Sequence, residues 1–211
     1  FGVPAAYTPL GTEARRPQLP GLLPPGMEVT DRIDGDQDQA AASARQRRLA
    51  MVDAWQSSTR WPAAAFSFVE VAGAGYLGRL VNWLRPGASE RARDDLHGLP
   101  ARYRPVCRPA LAGVDLEGRI GLARKVLQAM GLVNGFAPLV LLVGHGSQSE
   151  NNAHAAALDC GACCGQTGEV NARVLARVLN EPAVRQGLDR EGISIPVGTA
   201  FVPALHNTTT D

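Results

Sequence analysis

Apolar positions recur at helical spacing along much of the chain and run unbroken in one short stretch. From Gln39 to Gln56 the sequence is rich in Ala and Arg, and Leu49, Val52 and Trp55 share one side of a helical wheel, so a helix is predicted there. A second helix is predicted from Pro62, a favoured first-turn residue, to about Leu84. Asp115 is placed to cap a helix running to Met130, with Ile120, Ala123, Val126 and Leu127 on its apolar side and Gly131 as its stop. Thr167 or Gly168 opens a further helix through Leu179, and Pro182 opens another to about Arg190. Ala137 to Val143 breaks this pattern. It is short and wholly apolar, the signature of a strand buried on both faces, as in parallel sheets. Thr199 to Leu205 reads as a second strand.

Helix, strand, helix, strand in that order implies a right-handed crossover and a parallel α/β sheet. Both strands would then end on one rim, where ligands collect in such folds. That rim carries His145 and the polar run His206-Asn207-Thr208-Thr209-Thr210-Asp211. Residues 1–38 are proline-rich, with Leu-Pro-Gly-Leu-Leu-Pro-Pro-Gly at 19–26, and predict an extended, irregular segment. Residues 39–110 read as a mainly helical insertion, and 111–211 as an α/β half-domain. The chain opens on Phe1 and closes straight after a strand-like run, as expected of a piece of a longer protein.

Composition narrows the function classes. The chain has 211 residues, 45% hydrophobic and 19% charged, which is globular rather than disordered. Aromatics are only 5%, so the core must rest on Ala, Val and Leu. Lys and Arg number 21 against 20 Asp and Glu, a balance that argues against a dedicated nucleic-acid binder. No apolar run approaches the ~20 residues of a membrane-spanning helix, and no secretory signal opens the chain. A peripheral membrane partner stays compatible with this. The arginines from Arg45 to Arg48 read as a solvated helix face or a partner contact.

The four cysteines are Cys107, Cys160, Cys163 and Cys164. Clustering beside a histidine points to metal or redox chemistry in a reducing compartment, rather than to a disulfide framework. Cys107, alone in Arg-Pro-Val-Cys-Arg-Pro, reads as structural. His145 follows the apolar strand between Gly144 and Gly146, which permits a sharp turn and the close approach of a bound group. Zinc favours imidazole and thiolate, and His145 and Cys160 could meet at one ion. Cys160-x-x-Cys163 as a dithiol redox pair and an iron–sulfur site drawing on Cys107 are the competing readings. Asp34, Asp36 and Asp38 alternate like a calcium loop, but Gln39 and Arg45 stand where the pattern needs Gly and Glu; a turn entering a helix fits better. Gly73, Gly75 and Gly78 match a dinucleotide-loop spacing without the preceding strand, so they read as helix packing. Ser147 lacks the Gly-x-Ser-x-Gly frame of a hydrolase. Spacing alone gives a metal-binding α/β domain with an incomplete ligand set.

Over Leu-Val-Gly-His-Gly-Ser-Gln-Ser-Glu-Asn-Asn-Ala-His-Ala-Ala-Ala-Leu-Asp-Cys-Gly-Ala-Cys, then Gly-Gln-Thr-Gly-Glu-Val-Asn-Ala-Arg-Val-Leu and Ala-Leu-His-Asn-Thr-Thr-Thr-Asp, the chain resembles the DabA family. Phe68-Val69-Glu70, Ala72-Gly73, Gly75-Tyr76 and Phe1-Gly2-Val3-Pro4 agree with it. The resemblance implies a partial parallel-sheet domain like a β-carbonic anhydrase core, with helical insertions and one Zn2+. It makes His145 and Cys160 metal ligands. The family's Cys-x-Asp pair lies upstream of Phe-Gly-Val-Pro and outside this sequence. Cys164 stands where Gly is expected, so the roles of Cys163 and Cys164 stay open. His154, Asp159, His206 and Asp211 are, by position, candidate outer partners of the metal or proton relays. The implied function is the peripheral subunit of a proton-coupled uptake complex for inorganic carbon, carbon dioxide and bicarbonate, at the cytoplasmic face of a bacterial inner membrane. Zinc lowers the pKa of its water to roughly 7, which would drive carbon dioxide hydration. The implied partner is a membrane-embedded, proton-channel-like subunit of the DabB type. The alternative is a non-catalytic structural zinc or docking module for that membrane partner.

Overall fold

The structure, a computed structural model, describes residues 5–17, 26–33, 35, 37–60, 73, 96–146 and 167–206. The chain divides into two compact units, Phe1–Arg32 with Cys107–Asp211, and Ile33–Val106.

In the first unit, strands β1 (Ala5–Thr8), β2 (Arg16–Pro17), β3 (Met27–Ile33) and β4 (Cys107–Ala112) form a sheet in the order β2-β1-β3-β4. β1 runs antiparallel to β2 and parallel to β3. The irregular stretch predicted over residues 1–38 is therefore corrected. The described prolines fall where strands tolerate them, Pro9 just after β1 and Pro17 on the edge strand β2, while Ala5–Thr8 and Met27–Ile33 keep their N–H groups for the ladder. Within this sheet the Tyr7 hydroxyl donates to Asp31 Oδ2 at 2.6 Å, and the Leu10 N–H donates to the same oxygen at 3.3 Å. Both Tyr7 and Asp31 are fully buried.

Helix α2 spans Leu116–Ala129 in the same unit. The Asp115 carboxylate caps it, accepting from the Gly118 N–H at 2.8 Å. Its end is a left-handed turn: Gly131 has φ 68°, and the Leu132 N–H reaches back to the Leu127 carbonyl at 2.9 Å. Helices α3 (Glu169–Asn180) and α4 (Pro182–Arg190) follow, with Pro182 in the first turn of α4. Strands β5 (Leu139–His145) and β6 (Ala200–His206) pair in parallel, Leu139 opposite Ala200 through to His145 opposite His206. The predicted α/β order and parallel pairing are thus present. α3 lies across one face of the pair, and α2 packs on α4. Leu127, Leu179, Val184 and Leu188 are fully buried there, in a core of aliphatic side chains that also takes in Tyr7, Leu142 and Phe201.

A second expectation fails in this unit. β5 is not buried on both faces: Leu142 is 9% exposed, but Leu139, Leu141 and Val143 are 56%, 55% and 59% exposed. Among the described residues, the helices cover only one side of the two strands.

In the second unit, helix α1 spans Asp38–Arg60, and the Asp38 carboxylate accepts from the Ile33 N–H at 2.6 Å. The turn into a helix expected around Asp38 is present; Asp34 and Asp36 lie outside the described residues. The apolar face expected from Leu49, Val52 and Trp55 is corrected. Leu49 lies against Gly98, while Val52 and Trp55 stay more than a third exposed. Arg45 is corrected too. It is buried at 3% exposure with its stem beside Gly98, so the solvated run starts beyond it, at Arg47 and Arg48. The second helix predicted from Pro62 lies almost wholly outside the described residues.

Candidate functional site at the strand rim

β5 and β6 end side by side at their carboxyl ends. His145 and His206 are register partners, both exposed. The Gly146 N–H donates to the His206 carbonyl at 2.5 Å and carries the pairing one residue further. His145 belongs to the strand rather than to the loop after it, so its backbone is held by the ladder.

The seat of His145 is a backbone contact with the start of α3. The Gly168 N–H donates to the His145 carbonyl at 2.8 Å. A Cβ on Gly144 would strike the Gly168 carbonyl group, with its carbon only 2.6 Å away. A Cβ on Gly168 would lie 2.9 Å from the His145 backbone nitrogen and 3.2 Å from its Nδ1. Two glycines therefore let helix and strand approach until the imidazole lies against the first turn of α3. Gly144 was legible as a turn-permitting neighbour of His145. Gly168 was legible only as a helix start, because its contact with Gly144 is tertiary.

The outer edge of β6 is closed by side chains. Asn180, at the end of α3, donates through Nδ2 to the Phe201 carbonyl at 2.7 Å and accepts from the Phe201 N–H at 3.1 Å. Arg185 donates to the Thr199 carbonyl at 2.7 Å, to Asn180 Oδ1 at 2.9 Å and to the Leu179 carbonyl at 2.8 Å. Desolvation by burial lowers the Arg185 pKa from its usual value. Nothing in the linear sequence marked Asn180 or Arg185.

Of the predicted site residues, the structure brings His145 and His206 together. Cys160, His154, Asp159 and Asp211 lie outside the described residues, as do Cys163 and Cys164. Cys107 is fully buried at the head of β4, where its carbonyl accepts from Arg108 and Arg173. Among the described residues, no group of three or more His, Cys, Asp or Glu side chains is arranged to hold a metal. An exposed imidazole on a rigid strand end is nonetheless a donor of the kind zinc takes. That chemistry is compatible with His145 as one zinc ligand. No helix among the described residues is long and apolar enough to cross a membrane.

Comparison with known proteins follows the whole chain. The family described as "Probable inorganic carbon transporter subunit DabA" matches residues 1–211. A protein of that name from Paracidovorax citrulli is 67% identical over 211 residues, covering 100% of this chain and 25% of its own length. The counterpart from Methylovorus glucosotrophus is 63% identical over 221 residues, covering 100% of this chain and 26% of its own. One from Vibrio cholerae is 44% identical over 214 residues, again covering 100% of this chain and 25% of its own. The chain thus spans about a quarter of the length of these relatives. No solved structure matches.

Proposed function

The chain belongs to the DabA family of probable inorganic carbon transporter subunits, and on that footing we propose that it forms part of a zinc site for carbon dioxide hydration within an uptake complex. The observation that carries this reading is the seat of His145, fixed at a parallel strand's carboxyl end by the Gly144–Gly168 contact. His145 and Cys160 would hold the ion, together with ligands from outside this stretch. Bound there, zinc supplies Lewis acidity, which makes water nucleophilic toward carbon dioxide near neutral pH. The ladder and the Gly168 N–H fix the His145 backbone, so the imidazole pays little ordering entropy on taking up a ligand's role. His206, its register partner, stands where a proton leaving the site would meet a second imidazole. His154, Asp159 and Asp211 are further relay or outer-partner candidates by sequence position.

In this reading the partner is a membrane-embedded, proton-channel-like subunit of the DabB type. The complex works at the cytoplasmic face of the bacterial inner membrane, with this protein peripheral. Proton flow would gate the site so that hydration runs one way and bicarbonate accumulates.

The test is zinc content and inorganic-carbon uptake in the full-length protein produced with its membrane partner. His145→Ala and Cys160→Ser should each abolish zinc and uptake, while Cys164→Gly leaves both near wild type. Wild-type zinc in either of the first two variants would overturn the ligand assignment. Loss of zinc with uptake intact would instead favour the non-catalytic structural or docking role.

A further inference from the structure

We propose that Arg173 is a positioning residue for His145: it ties the first turn of α3 to the head of β4 and so fixes the seat on which the imidazole rests. For its consequence at a metal the inference rests on the zinc reading above; the seat itself is testable without the metal.

The start of α3 does two things at once. Gly168 gives its N–H to the His145 carbonyl at 2.8 Å and its carbonyl to the Ala172 N–H at 3.1 Å. The residue that seats His145 is therefore also the one that opens the helix. No side chain caps this end. The first N–H groups of a helix have no partner within it, and an uncapped first turn frays. Fraying here would draw Gly168 away from Gly144 and take its N–H from the His145 carbonyl.

Arg173 holds this turn in place. One arm of its guanidinium donates to Glu169 Oε1 at 3.2 Å, and the other to the Cys107 carbonyl at 3.3 Å. Glu169 is the first residue of α3, directly after Gly168, and Cys107 is the first residue of β4. An acid four residues before a base is the favoured order on a helix. The Arg173 side chain is only 17% exposed, so these charge-assisted bonds are partly shielded from water.

The anchor at the other end is firm. Cys107 is fully buried, and β4 is the last strand of its sheet. One helical turn beyond Arg173, Arg177 donates to the Pro109 carbonyl at 3.4 Å. Carbonyls two residues apart on a strand share an edge, and residues four apart on a helix share a side. α3 therefore grips the outer edge of β4 at two points, of which only Arg173 also holds the first turn.

Apolar packing does not replace this tie. Val170 and Val174 are 1% and 2% exposed and hold α3 against the core. Hydrophobic burial is non-directional, so it sets the depth of the helix better than its slide along the axis. The seat is sensitive to that slide, because a Cβ on Gly144 would already lie 2.6 Å from the Gly168 carbonyl carbon. A planar fork with one acceptor on each element sets the slide.

The test uses the full-length protein produced with its membrane partner. Arg173→Met keeps the apolar stem and removes the fork; Arg177→Met removes a comparable bond to the same edge, away from the first turn. Residue-resolved amide exchange at Gly168 should accelerate about tenfold in Arg173→Met, the factor that one charge-assisted bond supplies. It should stay at the wild-type rate in Arg177→Met. Zinc affinity, measured by chelator competition, should fall about tenfold in Arg173→Met alone, and Arg173→Lys should restore part of it. Should Arg173→Met fail to fold, Glu169→Gln weakens the same tie more gently and should still accelerate Gly168. An unchanged Gly168 rate in Arg173→Met would overturn the proposal. So would equal acceleration in both methionine variants, because Arg173 would then be a general stabiliser of α3. Where His145→Ala loses zinc, wild-type zinc affinity in Arg173→Met would overturn it as well. Zinc kept in both His145→Ala and Arg173→Met, with Gly168 loosened only in the latter, would mean that the zinc reading had failed and the positioning role had not.

Discussion

Gly144 and Gly168 touch backbone to backbone, so closely that a Cβ on Gly144 would strike the Gly168 carbonyl. That contact joins the last turn of strand β5 to the start of α3 and sets the position of His145. Gly144→Ala should destabilise the fold by about 1–3 kcal/mol, as overpacking against rigid backbone does. Gly168→Ala should act in the same direction. Denaturant unfolding checks the stability, and zinc content of the full-length variant checks the displacement of His145. A Gly144→Ala protein as stable as wild type would remove the seat from the argument.

Two helical glycines should respond in opposite directions. A Cβ on Gly121, within α2, meets nothing within 4 Å. Gly121→Ala should therefore stabilise by about 0.5–1 kcal/mol, the helix-propensity gain alone. Gly187 in α4 lies against Ile120, and its Cβ would come 2.6 Å from Ile120 Cγ1. Ile120 is itself only 5% exposed and has little room to move. Gly187→Ala should lower the thermal midpoint while Gly121→Ala raises it.

Asn180 is expected to be worth more than an exposed asparagine at a helix end. It satisfies both backbone groups of Phe201, a residue 2% exposed, and Asn180→Ala would leave those groups without these partners. The expected cost is about 1–3 kcal/mol by chemical denaturation. Amide exchange at Phe201 should accelerate in the same variant. Unchanged exchange there would mean that β6 is held some other way.

Arg185 packs over the Phe201 ring with its guanidinium 5.8 Å from the ring centre, and burial lowers its pKa. The folded state therefore holds this proton less tightly than the unfolded chain does, so the group's contribution to stability rises with pH. That rise falls in the alkaline range where arginine titrates, and from about pH 5 to 9 the contribution should be flat. Arg185→Ala should then lower stability by a similar amount throughout that range, measured as denaturation midpoints at several pH values. A loss that varied steeply with pH near neutrality would count against this account.

Asp115 should behave as a helix cap. Its carboxylate accepts the Gly118 N–H at 2.8 Å, and Asp115→Ala should cost about 1 kcal/mol, with Asp115→Ser largely restoring it. Thermal unfolding of the two variants side by side decides this.

What the sequence determined by itself was local. The Asp115 cap, the Gly131 stop and Pro182 at a helix start are written in single residues whose backbone preferences act over one turn, and all three stand in the structure. The parallel pairing of β5 and β6 also followed, because the order of elements and the handedness of crossovers leave few alternatives. Tertiary structure alone decided the rest. Strands β1 and β3 formed in a proline-rich region because pairing across the sheet outweighed local composition. Val52 and Trp55 stayed partly exposed because a helical period says which residues share a side, not how deeply that side is buried. The register that sets His145 beside His206, and the glycine contact that seats it, depend on residues brought together only by packing. An apolar run announces a buried strand, but how much of it is covered depends on neighbours the run does not encode, which is why β5 is apolar from Leu139 to Val143 and bare on one side.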